Sequence, residues 1–281
     1  MVLKYLLSLI CFWICIPVSS SVIDTIKVKS GKMDRDISCV VISPERKKCE
    51  SCFPVLYLLH GYGSQGYRDS HKVWVDKIKT DLPILADQYG IMIVCPNGEN
   101  SWYWDSPRDS RSQFETFITK ELVEFIDKNY ATIPDRRGRA VTGASMGGHG
   151  ALWLAIRHQD IFGAAGSMSG GVDITPFPDK WEIKKHLGEF SSNIQMWEQY
   201  TVMNQIDKLQ NGNMCLIIDC GYNDFFFQVN NNIHQELLKR KISHDYIVRP
   251  GGHTYQYWNN AIDYQMLFFA RFFRRGISAI N

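Results

Sequence analysis

What this 281-residue sequence lacks narrows its function before any motif is read. It has no apolar run long enough for a membrane-spanning helix, which needs about 20 residues. Tyr5–Ile16 (YLLSLICFWICI), the most apolar stretch, falls well short. It has no surplus of one charge: 31 Lys and Arg against 29 Asp and Glu leave a net charge of +2. That balance excludes the basic surface of a nucleic-acid binder and an acidic tail. With 21 glycines, 10 prolines and 21% charged residues, the chain is neither collagenous nor disordered. Eight cysteines are too few for a scaffold built from disulfides. A single CxxC, Cys49-Glu-Ser-Cys52, has neither a second CxxC nor a histidine pair to complete a zinc site, so no metal is implied. No internal repeat or linker divides the chain. What is plentiful is apolar (45%) and aromatic (13%) content, enough to bury a large core.

The first twenty residues have the pattern of a secretory leader. Lys4 gives a positive start, Tyr5–Ile16 an apolar core, Pro17 a break, and Val18-Ser19-Ser20 small residues for a peptidase. We therefore expect a signal peptide over 1–20, a single domain over 21–281, and a secreted or periplasmic protein with no membrane span after cleavage. Six cysteines would remain: Cys39, Cys49, Cys52, Cys95, Cys215 and Cys220. In an oxidising compartment they permit disulfides, although their pairing is open. Cys95 and Cys215 fall in expected strands and read as core.

Hydrophobic patterning predicts a mostly parallel sheet with helices on both faces. Val22–Val28 and Asp36–Ile42 read as strands about a turn at Ser30-Gly31. Continuous apolar runs at Pro54–His60, Ile91–Cys95 and Met214–Asp219 have the character of strands covered on both faces. Gly138–Thr142, Phe162–Met168 and His244–Arg249 complete the strands. Helical spacing marks Val73–Tyr89 (interrupted at Pro83), Ser112–Tyr130, Ser145–His158, Val229–Lys241 and Trp258–Arg274. Between Val172 and Gly212 the periodicity loosens, as expected of an insertion capping the sheet.

The chemistry concentrates at Gly143-Ala144-Ser145-Met146-Gly147. GxSxG is a weak motif alone, but here it lies between a strand and a helix, where a nucleophile elbow belongs. Such an elbow lifts the serine above the sheet and leaves the Met146 N–H at a helix N-terminus, facing a developing oxyanion. A serine needs a base, and the base needs a group to orient it. The order serine, acid, histidine, each beyond a strand end, selects His253 in Pro250-Gly-Gly-His253 and an acid after Met214–Asp219. Asp224 on the following loop and Asp219 at the strand end compete for that place, and loop position favours Asp224. His60-Gly-Tyr62-Gly63 has the form of a loop supplying a second oxyanion donor, assigned to the Tyr62 N–H. Trp102 and Tyr103, after the IMIVC strand, are candidates for lining the substrate pocket. His149 reads as a buried histidine satisfied by backbone. His71, His158, His186, His234 and His244 have no site context and default to the surface.

Taken together, Ser145-Met-Gly-Gly-His-Gly-Ala-Leu152, HGYG, Asn100-Ser-Trp-Tyr103, CGYND and Pro-Gly-Gly-His253 resemble the esterase D-like branch of the α/β hydrolases. That branch includes S-formylglutathione hydrolases, feruloyl, acetylxylan and tributyrin-type esterases, and mycolyltransferases. The resemblance extends over about Val22 to Arg274. It implies an α/β-hydrolase fold, a Ser145–His253–Asp224 triad, oxyanion donors from Tyr62 and Met146, and no cofactor. The leader counts against the cytosolic S-formylglutathione hydrolases, and the GASMGG elbow departs from the mycolyltransferase form. The implied function is a secreted serine carboxylesterase acting on small-molecule or polysaccharide-linked esters, feruloyl or acetyl groups of plant polysaccharide among them. A serine peptidase on the same scaffold and a non-catalytic hydrolase-like binding protein are the alternatives.

Overall fold

The computed structural model describes residues 21–45, 52–63 and 69–278. The expected signal peptide and Cys49 lie outside the described residues. Eight strands form one sheet in the order β1-β2-β4-β3-β5-β6-β7-β8. An antiparallel hairpin, β1 (Val22–Ser30) and β2 (Arg35–Ser43), joins β4 (Met92–Pro96) antiparallel. From there β3 (Val55–Leu59), β5 (Arg139–Gly143), β6 (Ala164–Met168), β7 (Cys215–Gly221) and β8 (Asp245–Arg249) run parallel. The expected mostly parallel sheet is thus observed.

Helices cover both faces because β3, β4, β5 and β6 are buried along their whole length. On one face α1 (Leu82–Tyr89) and α8 (Tyr255–Ser278) pack Leu82, Ala86, Ile262 and Phe269 onto Leu56, Leu58 and Ile93. Pro83 stands in the first turn of α1, where its missing N–H costs nothing, so it starts a helix instead of interrupting one. The other face carries the helical rod formed by α2 (Phe114–Thr116), a π-helical stretch (Phe117–Leu122) and α3 (Val123–Asn129). α4 (Met146–Arg157) and α7 (Phe227–Lys239) lie on the same side.

The 172–212 insertion folds into short pieces, among them α5 (Ile183–Leu187) and α6 (Ile194–Gln199). Ile183, Leu187, Trp197, Val202 and Ile206 sink into the core, so burial holds a segment whose sequence has no strong period. Two expectations change. Cys215 is exposed at the start of β7, although Cys95 is buried. His71 is buried, while His158, His186, His234 and His244 are partly covered. Cys39, Cys52, Cys95, Cys215 and Cys220 are all free thiols.

Candidate active site

Parallel strands all end on the same side of a sheet, which brings the loops after β5, β7 and β8 together. The elbow after β5 is sharp: Ser145 has φ 59° and ψ −118°, outside the usual range for a side-chain-bearing residue. Its backbone is pinned, since Ser145 N–H donates to the Met168 carbonyl (2.9 Å) and Ala144 N–H to the Leu59 carbonyl (3.3 Å). Gly147 must be glycine, because a Cβ there would come within 2.4 Å of the Leu59 carbonyl oxygen. The small residues of the motif are thus what let α4 start directly against β3.

The Ser145 Oγ lies 2.8 Å from His253 Nε2, and His253 Nδ1 lies 2.9 Å from Asp224 Oδ2. Asp224 Oδ1 also accepts from the Phe226 N–H (2.8 Å), which fixes the carboxylate. Backbone bonds zip the two loops together: Tyr222 N–H to the Arg249 carbonyl (3.1 Å) and Asn223 N–H to the Gly251 carbonyl (3.0 Å). The imidazole sits among rings, with Phe225 at 4.2 Å and Trp258 at 4.9 Å between centroids. With Asp224 on Nδ1, that nitrogen carries the proton and Nε2 accepts from the serine hydroxyl. This hydrogen-bonded chain can withdraw a proton from Ser145 as it attacks.

Asp219 stands apart. Its buried carboxylate accepts from the Tyr257 hydroxyl (2.5 Å) and from the Arg249 guanidinium. Burial raises its pKa, and the Tyr257 and Arg249 contacts offset only part of that rise. Its partners are thus Tyr257 and Arg249, whereas the carboxylate on His253 Nδ1 is that of Asp224.

Above the serine, Gly61 of the HGYG loop passes so close that a Cβ would lie 3.3 Å from the Ser145 Cβ. His60 is buried under this loop and holds it. Its Nε2 accepts from the Gly98 N–H (2.8 Å), so its Nδ1 carries the proton and donates to the Gly61 carbonyl (2.8 Å). Burial lowers its pKa to about 4, keeping it neutral. In a trans peptide the carbonyl and the following N–H point opposite ways. Turning the Gly61 carbonyl toward His60 therefore sends the Tyr62 N–H to the other side. Met146 opens α4 with its N–H among the four that a helix leaves free of intrahelical partners. His149 is buried, donates to the Gly171 carbonyl (2.9 Å) and accepts from Trp104 Nε1 (2.9 Å).

Trp102 and Tyr103 do not line a substrate pocket. Both residues are left-handed (φ 56° and 61°), and this turn folds their rings inward, leaving Trp102 1% and Tyr103 0% exposed. The Tyr103 hydroxyl bridges the His60 N–H and carbonyl, each at 3.0 Å, and so props the HGYG loop from below. Trp102 stacks on Trp104. Sequence reasoning also missed Phe225 and Trp258 beside His253; the FFF after CGYND was the available sign.

A model of the Esterase family matches residues 30–269. The chain belongs to the esterase family. It is a carboxylic ester hydrolase. This esterase is 27% identical over 220 residues to the acetyl esterase of Caldicellulosiruptor saccharolyticus, covering 74% of this chain and 79% of that one. It is 36% identical over 159 residues to the diacylglycerol acyltransferase/mycolyltransferase Ag85A of Mycobacterium leprae, spanning 54% of this chain and 44% of the relative. Among solved structures, a ferulic acid esterase superposes with a TM-score of 0.75 at 27% identity, covering 90% of this chain and 98% of its own. The α/β-hydrolase fold of the esterase agrees with that expected from its motifs.

Proposed function

We propose that this esterase is an exported enzyme that cleaves feruloyl or acetyl esters of plant polysaccharide through a Ser145 acyl-enzyme. The observation that carries the mechanism is the continuous chain Ser145 Oγ–His253–Asp224, at 2.8 and 2.9 Å. Ser145 Oγ attacks the ester carbonyl carbon while its proton passes to His253 Nε2, and the carbonyl π pair moves onto oxygen. The Tyr62 and Met146 amides receive that oxyanion; one such donor contributes about 3 kcal/mol in comparable sites. Asp224 holds the imidazole in the productive tautomer and stabilises the imidazolium. The oxyanion collapses, the C–O bond to the alcohol breaks, and His253 returns its proton to the leaving oxygen. Water then attacks the acyl-enzyme by the same route, releasing the acid and restoring the Ser145 hydroxyl.

Two relatives named for acetyl and ferulic acid esters support the substrate assignment. The charged start and apolar core of residues 1–16 support export. Ser145→Ala is expected to abolish turnover of 4-nitrophenyl acetate and labelling by a fluorophosphonate while leaving the circular dichroism spectrum unchanged. Retained turnover in that variant would overturn the mechanism. Methyl ferulate and acetylated xylan, assayed side by side, test the substrate assignment.

A further inference from the structure

Among the described residues, a polar contact joins the 172–212 insertion to the HGYG loop: the Tyr62 hydroxyl donates to Glu182 Oε2 at 3.0 Å. Glu182 sits in an unusual turn. It and Trp181 are both left-handed (φ 54° and 51°), and neither is glycine. Successive left-handed residues with side chains persist only where their surroundings over-determine them. Here those surroundings reach both sides of the site. The Glu182 carboxylate binds the Tyr62 hydroxyl and the Lys185 ammonium, while the Trp181 ring stacks on Phe225, which lies against His253.

The backbone of the HGYG loop is secured separately, and the Tyr62 ring packs against the core. His60 Nδ1 donates to the Gly61 carbonyl, and the Gly63 N–H donates to Asn100 Oδ1 at 2.9 Å. These bonds flank Tyr62 without reaching its side chain. Tyr62, the oxyanion donor proposed above, is thus tethered through its own hydroxyl to a separate part of the chain.

We propose that Glu182 is a positioning residue for ester hydrolysis: it latches Tyr62 so that the Tyr62 N–H stays aimed at the oxyanion. This rests on the Ser145 mechanism above, with Tyr62 as an oxyanion donor. The insertion is then part of the catalytic apparatus, acting through a hydrogen bond it makes to the oxyanion loop. Acylation and deacylation both pass through an oxyanion, so a loosened donor slows both and leaves KM nearly unchanged.

The test compares Glu182→Ala, Glu182→Gln, Tyr62→Phe and the Tyr62→Phe/Glu182→Ala double variant on 4-nitrophenyl acetate. Losing one oxyanion donor outright costs about 10²–10³ in kcat, so loosening one is expected to cost roughly 5- to 30-fold. Glu182→Ala and Tyr62→Phe should each lower kcat by that factor with KM within about twofold, and the double variant should be no worse than either single one. Glu182→Gln, which keeps an acceptor oxygen, should recover most of the rate. A trifluoromethyl ketone gives a second reading. Ser145 Oγ adds to its carbonyl carbon, the proton goes to His253, and the hemiketal oxyanion rests on the same donors. Its inhibition constant should weaken in step with kcat.

Unchanged kcat in Glu182→Ala, additive losses in the double variant, or an unaltered inhibition constant would each overturn the latch. Tyr62→Phe removes a single oxygen and keeps the backbone N–H, so it decides the matter if Glu182→Ala fails to fold. If Ser145→Ala is inactive while the latch variants behave as wild type, only the latch falls. If Ser145→Ala retains activity, the mechanism beneath it falls as well.

Discussion

At the residue scale, two aspartates five positions apart are separated by what surrounds them. Both follow from one buried strand, and position alone ranked them without deciding between them. Asp224 reaches the His253 ring, whereas Asp219 is enclosed by Tyr257 and Arg249. Asp224→Asn is therefore expected to lower kcat by about 10³–10⁴, because an amide at that position favours the wrong imidazole tautomer. Asp219→Asn should leave kcat within about threefold of wild type and instead destabilise the fold by about 3 kcal/mol, since Arg249 loses a buried partner. Steady-state kinetics and denaturant unfolding on the two variants check both outcomes. A reversed pattern would return the acid role to Asp219. The aromatic residues show the limit of sequence reading. Trp102 and Tyr103 follow a strand end, as pocket residues often do, but their left-handed backbone turns both rings into the core. Backbone handedness at a side-chain-bearing residue leaves no mark in residue type.

At the element scale, the strands were the most legible. Apolar runs such as PVLYLLH and IMIVC can only be strands covered on both faces or short buried helices, and their length and flanking glycines and prolines decide. The elbow was legible for a related reason: Gly147 is demanded by contact with β3. Gly147→Ala is expected to push α4 away from the Leu59 carbonyl, cost about 3 kcal/mol or more in stability, and displace the Met146 N–H. Thermal unfolding together with 4-nitrophenyl acetate turnover measures this; a variant with wild-type melting and rate would refute the packing argument. The insertion was legible only as a loss of period. Its short helices depend on burying Trp197, Ile183 and Leu187, a tertiary effect that overrides weak local propensity.

At the scale of the whole molecule, two buried histidines link separate parts of the fold and make its stability depend on pH. His60 joins the HGYG loop to the loop after β4, and His149 joins α4 to Trp104 and Gly171. Burial lowers the pKa of each from 6.5 to about 4. Between those values the unfolded chain binds protons that the folded protein excludes, so the native state is disfavoured as pH falls. The stabilisation is complete above pH 6.5 and is lost as pH drops toward 4, by up to about 3 kcal/mol for each histidine. Unfolding free energies measured from pH 7 to pH 4 should fall accordingly, with a shallower slope in His149→Gln. A flat profile would show that the imidazoles are reached by protons without unfolding.

The alternation of strands and helices, the elbow, and the order serine, acid, histidine are legible in residue order, because each depends on local period, turn chemistry or position along the chain. Which aspartate meets His253, the propping of the HGYG loop by Tyr103, and the reach of Glu182 to Tyr62 across 120 positions emerge from the folded arrangement alone. Those outcomes depend on distances between segments remote in sequence, which close packing sets and residue order does not encode in any local pattern.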